Sequence, residues 1–430
     1  MKLTRRDFLK RSALVAAPLI VPASVLGRGG FVAPSERIVM GAIGIGGRGS
    51  HDLGWMIGES DVQFVAMCDA RRAQREAAKN TVDRKYGNKD CATFRDMREL
   101  LARPDIDAVL IATGDRWHAL ASIYAMRAGK DVYCEKPSCL TMAQGRKVVE
   151  TARAYGRVYQ TGAQRLSEPN HVFAIEMARS GKFGPVHTAY ADCRYRGGSR
   201  TDWLPAQPEP AKDEIDWDTW LGPTAWKPFN MGYVNHGWYD FRDLATDIAM
   251  WGAHTVAQAL AGLDMTNVTH IDFEFAGPDA TINTRLSNGV KLVLYRCPGS
   301  VWKPCEFWSS SCGERFDGPE GWASAADGYS KPDVSSPAIF AEFKKVLAEY
   351  EGRTQRPMNH VRDFFDCIKS RRTTVANPEV MFRSMAICLA ADVCEQVQRN
   401  LKFDLLKHEF IGDADANRLL VRASREPWVV

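Results

Sequence analysis

The chain has 430 residues, of which 45% are hydrophobic and 25% are charged, as in an ordinary soluble globular protein long enough for two domains. The formal net charge of +4 arises at the amino terminus, where the first thirty residues carry six basic side chains and one acid, Asp7. The remaining chain has a charge near −1 and no basic patch interleaved with aromatic residues, which excludes a nucleic-acid-binding protein from the predictions.

The amino terminus has the pattern of an export signal. Two adjacent arginines lie in the segment from Thr4 to Lys10, and an apolar run from Ala13 to Leu26 follows, as in a twin-arginine signal. The alternative is a membrane anchor, but the run is interrupted by Pro18 and Pro22 and is shorter than the roughly 20 residues that span a bilayer. We predict a signal region at residues 1–33 and a periplasmic or otherwise exported protein without an integral membrane span. The cleavage site and retention as a lipid tether stay open.

The next segment has the pattern of a dinucleotide-binding turn. An apolar run that starts at Ile38 predicts a buried strand, and Gly44-Ile45-Gly46-Gly47-Arg48-Gly49 follows in the order G-x-G-x-x-G. Gly44 permits a tight turn, Gly46 lets backbone amides approach a pyrophosphate, and Gly49 lets the next helix pack closely. This order of elements disfavours the alternative, a purely structural turn.

A carboxylate at the end of the second predicted strand favours NAD as the cofactor. The apolar run Val62–Cys68 ends at Asp69, the position from which an acid meets the ribose hydroxyls. Arg71 and Arg72 leave room for the 2′-phosphate of NADP, but Asp69 precedes them and would repel it. We therefore expect NAD, with NADP as the less favoured alternative.

Residues 34–162 alternate between predicted strands and helices, which is typical of a doubly wound parallel sheet. Further strands are predicted at Ile106–Ala112, Asp131–Cys134 and Val158–Thr161, and helices at Ala70–Tyr86, Thr93–Leu101, Trp117–Ala128 and Thr141–Tyr155. Ligands of such sheets bind beyond the carboxyl ends of the strands. We therefore expect Gly44, Asp69, Thr113, Lys136 and Gly162 to lie along one crevice.

Residues 163–430 predict an α+β domain with a large, mostly antiparallel sheet for substrate binding and oligomerisation. Strands are predicted at Val186–Arg194, Val268–Phe275, Thr281–Leu286, Val290–Arg296 and Cys305–Ser309. Asn288-Gly289 between two of them is a strong hairpin signal. Helices are predicted at Leu244–Leu260, Phe340–Tyr350, Met358–Ser370 and Val380–Arg399. The helix at 380–399 is a candidate for packing back on the first domain.

The eleven cysteines are an odd number, so at least one is unpaired within the chain. Cys68 and Cys134 end apolar strands and are interpreted as small core residues. Cys297, Cys305 and Cys312 share one loop-rich stretch, where a disulfide stays open.

Several segments together carry a family resemblance. They are the glycine turn with Asp69, HALASIYAMRAGKDVYCEKP from His118 to Pro137, TGAQR from Thr161 to Arg165, and WGAH from Trp251 to His254. With them the chain resembles the Gfo/Idh/MocA family, glucose–fructose oxidoreductase and its relatives. WDTWLGP from Trp217 to Pro223 and the tail ANRLLVRASREPWVV resemble the exported subgroup. The resemblance implies a Rossmann domain, an open antiparallel sheet domain, a homodimer or homotetramer, and a carbohydrate or related small molecule as substrate.

Oxidation of a sugar alcohol by hydride transfer needs a base for the hydroxyl proton and a group that stabilises the alkoxide. Lys136 directly follows a strand that ends in the crevice, Pro137 fixes the backbone, and Glu135 orients the ammonium or balances its charge. The resemblance implies that Lys136 lies between nicotinamide and substrate. The alternative is a solvated surface lysine.

His254 is the second catalytic candidate. The predicted helix places Asp247 and His254 on one face, about two turns apart. A typical family member has D-x-G-x-H here, whereas Met250 takes the place of the acid in this chain, so Asp247 is a substitute candidate. The missing acid counts against an ordinary dehydrogenase. The alternative for His254 is a hydrogen-bonded core residue.

The remaining candidates complete the site. Nucleotide contacts are further assigned to Gly47, Arg48, Thr113, His118, Glu135 and Gln164. Substrate contacts are assigned to Arg165, His236, Tyr239 and Asp240, with Asp243 beside them and solvated loop residues as the alternative. Trp203, Trp217, Trp220, Trp226 and Trp238 suit sugar stacking or aromatic packing in an oligomer. No spacing such as H-E-x-x-H occurs, so no metal is predicted.

Three functions stay open. The first is an exported NAD(P)-dependent oxidoreductase acting on a sugar or polyol. The second is NAD-dependent glycoside cleavage by oxidation, elimination and reduction, with His236, Tyr239 or His254 as a further base. The third is a catalytically silent nucleotide- or sugar-binding protein, suggested by Met250.

Overall fold

The structure, a computed structural model, describes residues 32–193, 198–235, 237–278, 280–296 and 304–429. Nearly all of the predicted signal region lies outside these residues, as do His236 and Cys297. Among the described helices, none combines the length and the apolarity that crossing a membrane requires.

Six parallel strands form the sheet of the amino-terminal half, in the order β3-β2-β1-β4-β5-β6. They are β1 (Ile38–Ile43), β2 (Val62–Cys68), β3 (Ala92–Phe94), β4 (Ala108–Ile111), β5 (Asp131–Cys134) and β6 (Tyr159–Thr161). The helices between them are α1 (Gly47–Met56), α2 (Arg72–Tyr86), α3 (Met97–Leu101), α4 (Asp115–Arg127) and α5 (Met142–Ala154). This strand order is that of the Rossmann fold, which confirms the predicted doubly wound sheet.

The continuous apolar runs in this half follow from burial on both faces of the sheet. Every residue of β4 and β5 is buried, as expected for central strands that are covered by helices on both sides. The predicted helix at Thr93–Leu101 is partly wrong, because its first residues pair with β2 as the edge strand β3 and only Met97–Leu101 is helical.

A mixed sheet of nine strands forms the second layer, in the order β13-β12-β11-β7-β10-β9-β8-β14-β15. The strands are β7 (Thr188–Asp192), β8 (His270–Glu274), β9 (Ile282–Leu286), β10 (Lys291–Tyr295), β11 (Glu314–Gly318), β12 (Gly321–Ala325), β13 (Asp333–Val334), β14 (Leu401–Asp404) and β15 (Glu409–Phe410). Only β7 and β10 pair in parallel, and the other neighbours are antiparallel. The predicted antiparallel character and the hairpin at Asn288-Gly289, between β9 and β10, are confirmed.

Nine helices lie in the described part of the second half. They are α6 (Pro169–Ser180), α7 (Trp217–Leu221), α8 (Met231–Val234), α9 (Ala249–Gly262), α10 (Pro337–Ala341), α11 (Phe343–Thr354), α12 (His360–Ser370), α13 (Pro378–Val397) and α14 (Ala414–Arg418). Helix α9 packs tightly on the sheet at Gly262, where a Cβ atom would lie 2.4 Å from the ring of Phe316.

The strand predicted at Cys305–Ser309 is wrong. This segment is irregular, and the sheet is instead extended by the hairpin of β11 and β12, whose register pairs Phe316 with Ala323. Three of the five residues of β11 are charged, which concealed that strand from a search for apolar runs. Cys305 is disulfide-bonded, whereas Cys312 is a free, buried thiol.

The carboxyl-terminal helices complete the core of the first half. Phe364 and Phe365 of α12 belong to the same buried cluster as Met40 of β1. Helix α13 packs on α5 so closely that a Cβ atom at Gly145 would lie 2.3 Å from the ring of Phe382. The sequence boundary at residue 162 therefore does not separate the two hydrophobic cores.

An ion cluster attaches α12 to the first half. Arg362 donates to Asp61 Oδ1 over 2.8 Å and to Glu59 Oε2 over 2.9 Å, and Lys369 also pairs with Asp61. Burial raises the pKa of Asp61, but hydrogen bonds from Arg362 and Lys369 outweigh it and lower the pKa from 3.8 to about 2.

We expect Asp61→Asn to lower the free energy of unfolding by about 1–2 kcal/mol near neutral pH, because charge-assisted hydrogen bonds to Arg362 and Lys369 are weakened. A depressed carboxyl pKa stabilises the fold above pH 4, and this contribution is lost as the pH falls from about 4 to about 2. Denaturant unfolding across this range should show that the difference between wild type and variant shrinks at low pH. Asp415→Asn, at a carboxylate that is 76% exposed, is the control. A pH-independent difference would contradict the assignment.

Candidate functional site

The glycine turn links the end of β1 to α1. Gly44 has φ +76°, and a Cβ atom there would lie 2.6 Å from Thr113 Cα, so only glycine fits. A Cβ atom at Gly49 would lie 2.9 Å from the carbonyl oxygen of Gly44. Gly46 and Gly47 face open space, and among the described side chains none caps the start of α1. The amides of the first turn of α1 are therefore available to a phosphate group.

Asp69 lies at the carboxyl end of β2, on the wall of the same cleft. Burial raises its pKa, although the backbone amide of Arg71, which donates to Oδ1 over 2.8 Å, acts in the opposite direction. Its second oxygen can accept a ribose hydroxyl proton.

The two arginines after Asp69 differ in whether their side chains are already paired with an acid or line the cleft. Arg72 pairs with Asp213 over 2.8 Å, in the loop that crosses from the second half of the chain. Arg71 lines the cleft, and the side-chain oxygen of Gln74 accepts from Arg71 Nη2 over 2.7 Å. Because Asp69 stands beside them and Arg72 is already paired, the cleft favours the unphosphorylated ribose of NAD.

The cleft has a volume of about 210 Å³ and extends from the glycine turn to a cover formed by the second half of the chain. Trp220, Trp238 and Tyr239 line that cover. Trp220 is buried and lies under the guanidinium of Arg116, whose Cζ is 3.8 Å from the ring centroid. The aromatic cover gives the cleft an apolar wall opposite the phosphate-binding turn.

Glu135, at the end of β5, is the centre of the polar network between the turn and the second half. Its Oε1 accepts from Arg48 Nε over 3.1 Å and from Gln164 Nε2 over 2.9 Å, and Oε2 accepts from the backbone amide of Lys136 over 3.2 Å. Burial raises the pKa of Glu135, but the positive charges of Arg48 and Lys136 outweigh it and lower the pKa. The carboxylate is therefore ionised, and it holds Arg48 beside the phosphate-binding amides.

Lys136 points from the strand end towards α9. Its Nζ donates to the carbonyl oxygen of Met250 over 2.8 Å and lies 5.4 Å from the ring centroid of Trp251. Burial lowers the pKa of Lys136, although the carboxylates of Glu135 and Asp115 act in the opposite direction. This environment does not match the alternative of a solvated surface lysine.

His254 lies one helical turn after Met250 and is 3% exposed. Its Nδ1 is buried and has no hydrogen-bond partner among the described residues. Burial and the positive charges of Arg165 and Lys136 hold the pKa of His254 well below its usual range. A neutral imidazole with an unused nitrogen is suited to a hydrogen bond with a ligand hydroxyl.

The interpretation of Asp247 as a partner of His254 is wrong in its geometry. Helix α9 starts at Ala249, so Asp247 lies before it and shares no helical face with His254. Its carboxylate instead pairs with Arg296, with Oδ2 2.8 Å from Nη2, and Glu395 contacts the same guanidinium over 2.8 Å. The charge of Arg296, distant in sequence, holds Asp247 in this position.

Thr113 and His118 differ in their position relative to the cleft. His118 is buried, with Nδ1 2.7 Å from the carbonyl oxygen of Pro137 and Nε2 3.0 Å from that of Thr113. It therefore links two strand ends rather than lining the cleft. Thr113 lines the cleft, and its Oγ1 is a buried polar atom without a partner among the described residues.

The predicted substrate residues are dispersed. Tyr239 lines the cleft, whereas Asp240 is exposed and Asp243 pairs with buried Lys227 over 2.6 Å. Arg165 forms a two-pronged ion pair with Asp327, with nitrogen–oxygen distances of 2.7 and 2.9 Å. His236 lies outside the described residues.

The tryptophans divide into two groups. Trp217 and Trp220 are buried and stack at 4.9 Å, and Trp238 stacks on Tyr239 at 3.8 Å. Trp203 and Trp226 are more than half exposed. Of these five tryptophans, Trp220 and Trp238 line the cleft.

Sequence reasoning missed Asp115 and Arg116. Both are buried directly after β4, and Asp115 Oδ2 and Arg116 Nη1 have no hydrogen-bond partners among the described residues. Burial raises the pKa of Asp115 to about 7, although Lys136 and Arg116 act in the opposite direction. The signal was a pair of charges at a strand end, in Thr113-Gly114-Asp115-Arg116, which is where ligands of parallel sheets bind.

Curated relatives are similar to part or most of the chain. An alpha-N-acetylgalactosaminidase of Shewanella oneidensis is 30% identical over 205 residues, which cover 42% of this chain and 44% of that protein. This chain thus spans less than half the length of that relative. A glycosyl hydrolase family 109 protein of Stenotrophomonas maltophilia is 26% identical over 381 residues, which cover 81% of this chain and 80% of that protein.

Solved structures share the fold. An aldose–aldose oxidoreductase from Caulobacter crescentus, complexed with glycerol, superposes with a TM-score of 0.55 at 18% identity and covers 85% of this chain and 100% of that one. A myo-inositol 2-dehydrogenase from Lactobacillus plantarum has a TM-score of 0.53 at 15% identity and covers 85% and 98%. At these identities the similarity concerns the fold alone.

Two family models match two separate regions of the chain. Residues 38–163 match the oxidoreductase family with an NAD-binding Rossmann fold, and residues 330–430 match the carboxyl-terminal alpha/beta domain of the same family. The matched regions contain the glycine turn, Asp69 and Lys136. The chain therefore belongs to the Gfo/Idh/MocA oxidoreductase family, with its NAD-binding Rossmann fold.

Proposed function

We propose that this protein is an exported enzyme that acts on a sugar, polyol or glycoside by hydride transfer to or from bound NAD. The observation that carries the proposal is the position of Lys136, whose backbone amide donates to Glu135, the carboxylate that also accepts from Arg48 at the glycine turn, and whose half-buried amine contacts the carbonyl of Met250. The base and the nucleotide cleft are thereby neighbours.

The residues of the cleft fit NAD. The first-turn amides of α1 suit the pyrophosphate, and Asp69 suits a ribose. Two buried polar atoms lacking partners in the described chain, Thr113 Oγ1 and Arg116 Nη1, belong to residues of this cleft. When bound, NAD supplies the hydride acceptor and donor that protein side chains lack.

Lys136 is the proposed base. Because burial lowers its pKa, a larger fraction of the amine is neutral near pH 7 than in a solvated lysine, and a neutral amine can accept a hydroxyl proton. The ionised carboxylate of Glu135 then compensates the ammonium that forms. His254, neutral and with Nδ1 unused in the described chain, is placed to bind a hydroxyl group one turn from Met250.

Glycoside cleavage is the second candidate, because the curated relatives are named as glycosidases. Oxidation at one sugar carbon acidifies the hydrogen on its neighbour. A base removes that proton, and the aglycone leaves as an alcohol, taking up a proton while a carbon–carbon double bond forms. Water then adds across the double bond, and the hydride returns to the carbonyl, so the net reaction is hydrolysis without net oxidation. Tyr239 lines the cleft and is a candidate for this second base.

The binding-protein alternative rests on Met250, which replaces the acid of the family pattern. In the structure, the backbone carbonyl of Met250 accepts a hydrogen bond from the amine of Lys136, an interaction that does not require an acidic side chain at this position. Oligomerisation through the nine-stranded sheet, as a homodimer or homotetramer, stays a prediction.

Lys136→Ala and the bulkier Lys136→Met should retain NAD and the fold but lose turnover by about 10²–10⁴-fold, because the general base is removed. Turnover is measured on a sugar, polyol and glycoside panel, and NAD content by denaturing the protein and identifying the released nucleotide. Lys147→Ala, at a lysine that is 40% exposed on α5, is the matched control. A fully active Lys136→Met variant would refute the assigned role.

Nitrophenyl glycosides distinguish the two activities. If the enzyme cleaves glycosides, it should release nitrophenol in the absence of added NAD and accumulate no NADH, since the hydride is returned. If it is a simple oxidoreductase, NADH should accumulate with free sugars and no nitrophenol should form. Absence of turnover on every member of the panel would support the silent binding protein instead.

Export by the twin-arginine pathway is proposed from Arg5 and Arg6. Replacing both with lysine should keep the protein in the cytoplasm of the host cell, whereas wild type should reach the periplasm. Cell fractionation measures the distribution. Export of the double variant at the wild-type level would exclude this pathway.

A further inference from the structure

Three side chains next to the end of the crevice have the composition of a metal site. Glu168 precedes α6, His171 lies in its first turn, and Asp327 follows β12. One potential ligand atom from each lies within 4.8 Å of the others. Glu168 is the residue that precedes the first turn of α6, and His171 lies in that turn, so the two side chains are brought together at the start of the helix.

The imidazole of His171 is directed into this cluster. Its side chain is 1% exposed, and Nε2 has no hydrogen-bond partner among the described residues. Glu168 Oε2 is 3.9 Å from Nε2, too far for a hydrogen bond. Two ligands bound to one ion at about 2.0–2.2 Å lie about 3–4.4 Å apart, so this separation suits a shared ion.

The other nitrogen of His171 is already held. Its Nδ1 lies 2.7 Å from Glu314 Oε2, a buried carboxylate that also accepts from Gln258 Nε2 over 2.6 Å. A proton on Nδ1 that is donated to Glu314 leaves the lone pair of Nε2 facing Glu168 and Asp327. A carboxylate that orients a histidine in this way is a regular partner of metal-binding histidines.

The cluster is rich in carboxylates, which favours the binding of a cation. Glu168, Asp327 and Glu314 carry three carboxylates, while Arg165 supplies one positive charge through its ion pair with Asp327. The carboxylates therefore outnumber the arginine, and carboxylate oxygens are ligands of divalent cations. Each carboxylate oxygen of Asp327 has two lone pairs, so the bonds from Arg165 and Ser311 still leave one available.

We propose that Glu168, His171 and Asp327 bind one divalent transition-metal ion, of the zinc or manganese type, with water at its remaining positions. An imidazole ligand favours such ions over magnesium and calcium, and the two carboxylates admit manganese as well as zinc. The sequence analysis predicted no metal, because the three residues show no H-E-x-x-H pattern and Asp327 is far from the other two in sequence.

A chain of hydrogen bonds connects Asp327, a ligand of the proposed ion, to the crevice. The same carboxylate holds Arg165, which donates to Gln164 Oε1 over 3.2 Å, and Gln164 donates to Glu135. The ion is thus a positioning element for Arg165 and does not itself touch the nucleotide cleft. The proposal is independent of the proposed activity.

The test uses the full chain, stripped with a chelator and titrated separately with Zn²⁺, Mn²⁺ and Mg²⁺ by calorimetry, with metal content measured after dialysis. Wild type should bind one equivalent of Zn²⁺ or Mn²⁺ more tightly than Mg²⁺. Glu168→Gln should weaken this binding at least about tenfold, since one ligand charge is lost. Glu168 is 46% exposed, so the substitution spares the core. Glu150→Gln, 64% exposed on α5, should bind as wild type does.

His171→Gln, with circular dichroism to verify folding, should also lose the site. The proposal is overturned if wild type binds neither Zn²⁺ nor Mn²⁺, or if Glu168→Gln binds them with unchanged affinity. NAD content, measured on the same samples, should be equal in wild type and Glu168→Gln. Absence of NAD from wild-type protein would count against the proposed function and would leave the metal-site proposal unaffected.

Discussion

The ion pair between Arg48 and Glu135 joins the parts of the site. Arg48 belongs to the glycine turn, and Glu135 ends β5 directly before Lys136. Burying a carboxylate costs free energy unless charge and hydrogen bonds compensate it. Arg48, Gln164 and the amide of Lys136 supply that compensation. As a result, one buried carboxylate fixes the phosphate-binding turn, the proposed base and the first residues of the second half relative to one another.

Neighbouring groups keep this negative charge on Glu135. Asp52 lies in the same pocket, 2.8 Å from Arg48, and burial together with the charge of Glu135 raises its pKa. Of two adjacent carboxyl groups, one therefore holds a proton and the other pairs with the arginine. Across the crevice, Lys136 contacts the carbonyl of Met250 and brings α9, with His254, to the strand ends. Lys136 therefore connects the end of β5 to the helix that carries His254.

Local patterns predicted the features that depend on neighbouring residues in the chain. The apolar run before Gly44, the glycine spacing and Asp69 were sufficient for the parallel sheet and its crevice, because each reflects the geometry of one strand and one turn. The short edge strand β3 lacked an apolar run, and three of the five residues of β11 are charged, so both escaped a search for hydrophobic runs. The helix containing His254 starts later than periodicity suggested, and for this reason Asp247 was paired with the wrong partner.

Long-range pairing was beyond the reach of sequence patterns. Nothing near Asp247 in the sequence indicates Arg296, and nothing near His171 indicates Glu314 or Asp327. The cover of the cleft could not be predicted for the same reason, because the loop that carries Trp220 comes from the second half of the chain and contacts Arg116 of the first half. The contacts of Asp247 and His171 form within the second half, and that of Trp220 with Arg116 joins the two halves, so no single segment encodes them.

A crystal structure of the protein with NAD tests the central claim most directly. The account predicts the pyrophosphate on the first-turn amides of α1, a ribose on Asp69, and the nicotinamide ring beside the amine of Lys136. A dinucleotide bound outside the cleft would contradict it. So would a dinucleotide in the cleft whose nicotinamide ring is remote from the amine of Lys136.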